Sequence, residues 1–215
     1  MCFDEDSRPP IPPIAGAAVD GRRLTLRSAD GTDFAAFAAQ PAQPSGAAMI
    51  VLPDVRGLFT FYEELALRFA EAGIAALAID YFGRTAGNAP RSSGFDYNPH
   101  MAQVQWAALR ADIGAARAEI AGWPGVRGVF SVGFCFGGRL SLLLASEGEL
   151  AMSGAVGFYG WPVGESRGGV PAPIDRVSAN AAPILAIFGG ADEALPASVV
   201  DAYRKMRNTL RYALG

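Results

Sequence analysis

The chain has 215 residues, a length that suits one globular domain with a substantial buried core. Apolar residues make up 51% of it and charged residues 18%, a balance that excludes an intrinsically disordered protein. The formal net charge of −3 provides no basic face for nucleic acid or for an anionic membrane surface. We therefore expect a small-molecule substrate, no nucleic acid or membrane partner, and a monomer or weak homo-oligomer.

Neither a membrane span nor a secretory signal is predicted. No apolar run approaches the roughly 18 residues of a transmembrane helix. The N-terminus is acidic and then rich in proline, whereas a signal peptide starts with a basic segment and an apolar run. The two cysteines, Cys2 and Cys135, are far apart and make no disulfide framework. These features favour a cytoplasmic location.

The predicted elements begin with residues 1–14, an extended N-terminal arm in which prolines cluster. Residues 15–215 are expected to form a single domain. Residues 22–27 and 34–39 flank a turn at residues 29–31 and predict an antiparallel hairpin.

After the hairpin, short continuous apolar runs alternate with amphipathic stretches, a pattern typical of an α/β fold with a mostly parallel twisted sheet and helices on both faces. The predicted strands are residues 47–52, 74–79, 126–132, 151–158 and 184–188. The predicted helices are residues 61–72, 99–120, 139–145 and 198–210. The segment 83–98 is rich in Gly, Pro, Asn and Ser and predicts a long loop near the active site.

The most informative motif is a Gly-x-Cys-x-Gly turn centred on Cys135, between a buried strand and a leucine-rich helix. This context is typical of a nucleophile elbow, a sharp turn in which flanking side chains would collide with their neighbours. The N-terminus of the following helix favours the thiolate over the thiol. We interpret Cys135 as a candidate nucleophile, the alternative being a buried structural cysteine in a glycine-rich turn.

With its surroundings, the motif at residues 133–138 resembles the dienelactone hydrolase family of the α/β-hydrolase superfamily. The likeness spans roughly residues 15–200, and its further motifs lie, in the family's order, at residues 52–57, 79–84, 157–160 and 183–192. The resemblance implies an α/β-hydrolase fold. It also implies cofactor-free hydrolysis of small ester or lactone bonds through a cysteine nucleophile.

The resemblance implies partners for the nucleophile as well. Asp192, after a strand and a Gly-Gly turn, is the expected acid. Its alternative is an ordinary turn aspartate, and the adjacent Glu193 is not expected to be the acid. The backbone N–H groups of Val55 and Phe136 are expected to form the oxyanion hole.

Two further residues are expected to support the site. Asp54 stands where the family carries a glutamate that interacts with the resting thiol, and the alternative is a turn residue after Pro53. Arg84 is expected to hold a substrate carboxylate, because a guanidinium can bind it bidentately. The alternatives are that Arg84 is a surface arginine and that Arg56 performs this task. The expected substrate is therefore anionic.

The sequence departs from the family at the residue expected to act as the catalytic base. A histidine should follow Asp192 at the end of one more strand, but residues 198–215 predict a helix and contain no histidine. The single histidine, His100, precedes the nucleophile, and we expect it to cap a helix or pack in a loop. The chain is therefore expected to lack the last strand of the fold and to have impaired activity. The alternatives are a non-catalytic binding protein and a truncated enzyme.

No motif predicts a cofactor or metal. The glycine clusters lack the spacing of dinucleotide-binding and phosphate-binding loops. No His/Cys group has the spacing of metal ligands.

Overall fold

A mixed sheet of seven strands forms the centre of the computed structural model, which describes residues 4, 6–15, 17–91, 94–177 and 181–212, without the side chains of residues 167 and 207–212. The strands are β1 Val19–Arg27, β2 Asp33–Pro41, β3 Ala47–Leu52, β4 Ala75–Ile79, β5 Gly128–Phe134, β6 Gly154–Phe158 and β7 Ile184–Ile187. The helices are α1 Thr60–Glu71, α2 Gly83–Ala86, α3 Asn98–Met101, α4 Trp106–Ala121, α5 Phe136–Leu144 and α6 Ala197–Tyr212.

The strand order is β1-β2-β4-β3-β5-β6-β7. The pairs β1–β2 and β2–β4 are antiparallel, whereas all pairs from β4 through β7 are parallel. The predicted fold class, a mostly parallel sheet with an N-terminal hairpin, is confirmed.

The order in which strands are added to the sheet changes side at β3. From β3 it moves through α1 to β4 on one side, and it later enters β5 on the other side. Leu52, the last residue of β3, pairs with Gly133 near the end of β5, so the two following loops emerge side by side. Such a switch point at the carboxyl ends of parallel strands is where α/β folds form ligand crevices.

Two apolar clusters cover the two faces of the sheet. Leu77 and Ile79 of β4 face the cluster that contains α4 and α5, whereas Ala76 and Ala78 face the cluster built on α1. All five residues of β4 are buried, because alternate side chains of a strand point to opposite faces and both faces carry helices.

The predicted helix over residues 99–120 is wrong, because the chain forms α3 and α4 with a break between them. Gln105, just before α4, is extended (φ −126°, ψ 135°). The 3₁₀ turn Arg167–Gly169 packs against this break, where a Cβ on Gly168 would overlap the Val104 carbonyl. Contact with a distant loop decides the break, so the local apolar pattern did not indicate it.

The segment after β4 also differs from the prediction. The short helix α2 begins at Gly83, within the predicted loop. None of the described helices is both long and apolar enough to cross a membrane.

Strand β7 forms one edge of the described sheet, as predicted. Leu185 is 57% exposed and Ile187 is 37% exposed, although both side chains are strongly apolar. An open strand edge with exposed apolar side chains is a template for association.

We expect the 215-residue chain to self-associate through this edge. Leu185→Lys should reduce the association, because a charged side chain beside the edge opposes strand pairing. Light scattering over a range of protein concentrations measures the effect. Met206→Lys is the matched control, because Met206 lies on α6 and is 44% exposed. A wild-type chain that stays monomeric throughout would contradict the prediction.

Candidate active site

Cys135 lies at the sharp turn between β5 and α5. Its backbone has φ 54° and ψ −114°, a left-handed conformation that costs on the order of 1–3 kcal/mol for a residue with a side chain. The Cys135 N–H donates to the Phe158 carbonyl at 3.0 Å, and its carbonyl accepts from the Arg139 N–H at 3.0 Å. The strained turn thus carries the thiol at the N-terminus of α5, where the helix dipole favours an anion.

Glycines allow this turn because the backbone of α5 packs directly against the backbone of neighbouring strands, which leaves no room for a Cβ. A Cβ on Gly133 would come closer than 3.0 Å to the carbonyl of Gly137, and one on Gly137 equally close to the carbonyl of Leu52. A Cβ on Gly138 would likewise come closer than 3.0 Å to the carbonyl of Phe158. Side chains at these positions would separate α5 from the ends of β3 and β6.

A cleft of about 360 Å³ opens over Cys135. The residues that line it come from the elbow, from the loops after β3, β6 and β7, and from α5: Val55, Cys135, Phe136, Arg139, Tyr159, Trp161, Glu165, Ser166, Asp192, Ala194 and Leu195. Four residues that the sequence singled out therefore share one cleft, namely Cys135, Asp192, Val55 and Phe136.

Asp192 lies in the turn after β7 and is half-buried. Its N–H donates to the Gly189 carbonyl at 3.2 Å, and its Oδ1 accepts from the Ala194 N–H at 3.0 Å. Glu193 is exposed and is not among the described residues that line the cleft. Asp192, and not its neighbour Glu193, therefore lies at the cleft over Cys135.

Asp54 is fully buried and braces the loop that carries Val55. The Arg56 guanidinium donates to both carboxylate oxygens, with Nη2 at 2.6 Å from Oδ2 and Nε at 3.0 Å from Oδ1. The Tyr62 hydroxyl donates to Oδ2 at 3.0 Å and accepts from the Asp54 N–H at 2.9 Å. Burial, and then the charge of Asp54, raise the pKa of Tyr62 well above its ordinary value, so the phenol remains a donor. These contacts favour the alternative that Asp54 is a turn residue. They also pair Arg56 with Asp54, so they give no support to Arg56 as the residue that holds a substrate carboxylate.

Arg84 lies on α2, outside the described residues that line the cleft. It forms an ion pair with the buried Asp112 of α4 and a second with Asp30 of the hairpin turn, at 2.7 Å. The hydrogen bonds that Arg84 donates to Asp112 and Asp30 raise the pKa of Arg84, and Arg84 in turn lowers the pKa of Asp30 to about 2. The expectation that Arg84 holds a substrate carboxylate receives no support from this placement, in which Arg84 links α2 to α4 and to the hairpin turn.

His100 lies in α3 with its ring stacked on Phe95, the ring centroids being 5.1 Å apart and the planes 14° apart. The Phe82 ring is 5.8 Å away. His100 does not line the cleft, and this packing agrees with the role expected for it.

The main residue that the sequence analysis missed is Arg139, which is only 3% exposed and lies one turn after Cys135. Its guanidinium donates to five backbone carbonyls of the loop after β6, those of Trp161 (3.0 Å), Val163 (3.1 Å), Gly164, Val170 (3.2 Å) and Pro171 (3.1 Å). Burial lowers the pKa of Arg139, which no carboxylate contacts directly among the described hydrogen bonds. A charged residue inside a leucine-rich buried helix was the available clue. Arg139 thus holds the loop after β6, which forms one wall of the cleft, against α5.

Two tyrosines complete the surroundings of the elbow. The Tyr81 hydroxyl donates to the Pro53 carbonyl at 2.8 Å, and burial raises its pKa well above the ordinary value. Tyr159 lines the cleft from a left-handed conformation, with φ 39°. Among the described residues, no group of three or more His, Cys, Asp or Glu side chains could hold a metal ion.

Comparison with known proteins identifies the family of the chain. Residues 34–212 match the profile of the dienelactone hydrolase family. A putative carboxymethylenebutenolidase of Methylorubrum extorquens is 27% identical over 176 residues, covering 79% of this chain and 60% of that protein. The carboxymethylenebutenolidase of Pseudomonas putida is 27% identical over 180 residues, covering 81% of this chain and 72% of the relative.

The fold has solved counterparts. The crystal structure of a putative dienelactone hydrolase from Klebsiella pneumoniae superposes with a TM-score of 0.76 at 24% identity, covering 90% of this chain and 82% of that one. A dienelactone hydrolase-like promiscuous phosphotriesterase from metagenomic libraries gives a TM-score of 0.69 at 24% identity, covering 90% and 78%. At these identities the structures show a shared fold.

We expect Gly137→Ala to lower the free energy of unfolding by at least about 2 kcal/mol, because a Cβ there meets the end of β3 and overpacking against backbone relaxes poorly. Urea unfolding measures the change. Gly148→Ala is the control, since no atom lies within 4 Å of its added Cβ, and it should change stability by less than about 0.5 kcal/mol. Equal effects of the two substitutions would show that the elbow is not tightly packed.

Proposed function

The chain belongs to the dienelactone hydrolase family, and we propose that it cleaves small ester or lactone bonds with Cys135 as the nucleophile. The observation that carries the proposal is the convergence of Cys135, Asp192, Val55 and Phe136 on one cleft. The name carboxymethylenebutenolidase, carried by the Pseudomonas putida relative, supports an ester or lactone as the substrate.

In the proposed first step, the Cys135 thiolate attacks the carbonyl carbon and the carbonyl electron pair moves onto oxygen. The N–H groups of Val55 and Phe136 bind this oxyanion, since one follows the nucleophile and the other lies on the loop after β3. The tetrahedral intermediate collapses by breaking the bond to the alkoxide, which takes up a proton. The product is a thioester at Cys135. The N-terminus of α5 stabilises the thiolate before attack.

The second step, hydrolysis of the thioester, needs a base to activate water. The role proposed for Asp192 is to orient such a base. The only histidine of the sequence, His100, stacks on Phe95 instead. We therefore propose that the 215-residue chain forms the thioester faster than it hydrolyses it.

A second candidate function is binding without turnover in the same cleft. It is favoured by one observation, that no histidine is among the described residues that line the cleft. The two candidates differ in whether an acyl group becomes bonded to Cys135.

With p-nitrophenyl acetate we expect a burst of about one p-nitrophenolate per chain, followed by turnover at least about 100-fold below the roughly 10 per second of an ordinary enzyme. Mass spectrometry should find the acetyl group on the Cys135 peptide. Cys135→Ala should abolish the burst, since the thioester cannot form. A full steady-state rate would show that another group acts as the base. Absence of acylation would favour the binding function.

We also expect added imidazole to accelerate loss of the acetyl group from acetylated protein by about tenfold, less than the 10²–10⁴-fold of a positioned base. Asp192→Asn should remove this acceleration, whereas Glu193→Gln, the matched control outside the cleft, should retain it. Decay of the acetyl group is followed by mass spectrometry after the ester has been removed. Equal acceleration in both variants would remove Asp192 from its proposed role.

A further inference from the structure

A second pocket, of about 160 Å³, lies beside the β1–β2 hairpin. The described residues that line it come from β1, β2 and α1, from the loop after β3, and from the segments that follow β4 and α2, and none of them lines the cleft over Cys135. They include Arg23, Ala36, Leu58, Asp80, Asn88 and Arg91. A cavity of this size accommodates one six-membered ring.

The charged side chains of the second pocket are paired with one another. Arg91 donates through Nη2 to Oδ2 of Asp80 at 2.6 Å, and these two side chains are only 6% and 1% exposed. Arg23 forms an ion pair with Glu63 at 2.8 Å. Asp80 also accepts from the Leu58 N–H at 2.9 Å. These contacts join the elements around the pocket, so its walls are formed independently of a ligand.

Two polar atoms of the second pocket have no hydrogen-bond partner in the described part of the chain. Arg91 donates through Nη1 to the Ala86 carbonyl at 3.2 Å and through Nη2 to the Gly87 carbonyl at 2.7 Å, but its Nε–H is buried without an acceptor. Asn88 Oδ1 is buried without a donor. A buried polar atom that stays unpaired costs free energy. The pocket therefore offers one donor and one acceptor to a bound molecule.

The remaining surface of the second pocket includes apolar side chains. Ala36 and Leu58 line it and are only 1% and 6% exposed. The Arg91 guanidinium lies over the Phe95 ring, with Cζ 4.9 Å from the centroid, which fixes its plane and thereby the direction of its Nε–H. Apolar walls with a few fixed polar groups are typical of small-molecule sites.

We propose that the second pocket binds a small molecule that consists of a single ring with hydroxyl groups. A hydroxyl is the smallest group that both accepts and donates a hydrogen bond. In the bound state, hydroxyls accept from Arg91 Nε–H and donate to Asn88 Oδ1, and the ring contacts Leu58 and Ala36. Water offers the same donor and acceptor, but it gains nothing from the apolar walls. This site is independent of the function proposed for the cleft.

Titration with resorcinol, followed by NMR chemical shifts, tests the proposal. We expect saturable shifts of the backbone N–H signals of Leu58 and Ala89 and of the Arg91 Nε–H signal, with a Kd of about 1 mM or tighter for a molecule of this size. Alkylation of Cys135 with iodoacetamide beforehand blocks the cleft and should leave these shifts unchanged. Absence of the shifts would mean that the pocket holds water only, and shifts confined to the cleft would equally overturn the proposal.

A variant identifies the polar contact. Asn88→Ala removes the acceptor and should weaken resorcinol binding about fivefold, without weakening the binding of m-xylene, which has methyl groups in place of the hydroxyls. Asn98→Ala is the matched control, because Asn98 is exposed on α3 and outside the pocket, and it should change neither affinity. Unchanged resorcinol binding in Asn88→Ala, or a loss that m-xylene shares, would overturn the assignment. The Arg91 Nε–H shift of the wild-type protein tests the other contact without a substitution.

Discussion

The close approach of α5 to the ends of β3 and β6 is the constraint on which the site depends. Gly137 and Gly138 bring the helix backbone against the carbonyls of Leu52 and Phe158. This approach holds Cys135 in its left-handed conformation. Val55 and Phe136 line the same cleft, because β3 and β5 end side by side. Cys135 and the start of α5 are thus positioned by backbone packing, which has few ways to relax.

Charged groups around the cleft serve mainly to hold its loops. Asp54 and Arg56 fasten the loop after β3, and Arg139 fastens the loop after β6 to the elbow helix. A buried arginine that donates to carbonyls keeps its charge without a directly bound carboxylate, and burial accordingly lowers its pKa. These contacts hold the loops that form the walls of the cleft.

Most of the sheet could be predicted because its strands are continuous apolar runs and its turns contain glycine. The elbow was equally accessible, since the spacing of its glycines around Cys135 forms a recognisable motif within six residues. The break between α3 and α4 was not, because it depends on Gly168 packing against Val104 more than sixty positions away in the chain. The choice of Asp192 over Glu193 rested on the family resemblance, and the cleft geometry supports it independently.

The sequence by itself determined the class of fold, the elbow and the candidate nucleophile, because hydrophobic periodicity and the spacing of the elbow motif are both contained in short stretches of the chain. The tertiary structure alone decided what each arginine does. Arg84 pairs with Asp112 across 28 residues and Arg139 reaches carbonyls more than 20 residues away. A guanidinium in a sequence is equally suited to a carboxylate of the protein, a carbonyl or a substrate. The fold selects among them by which acceptor it brings within hydrogen-bond distance.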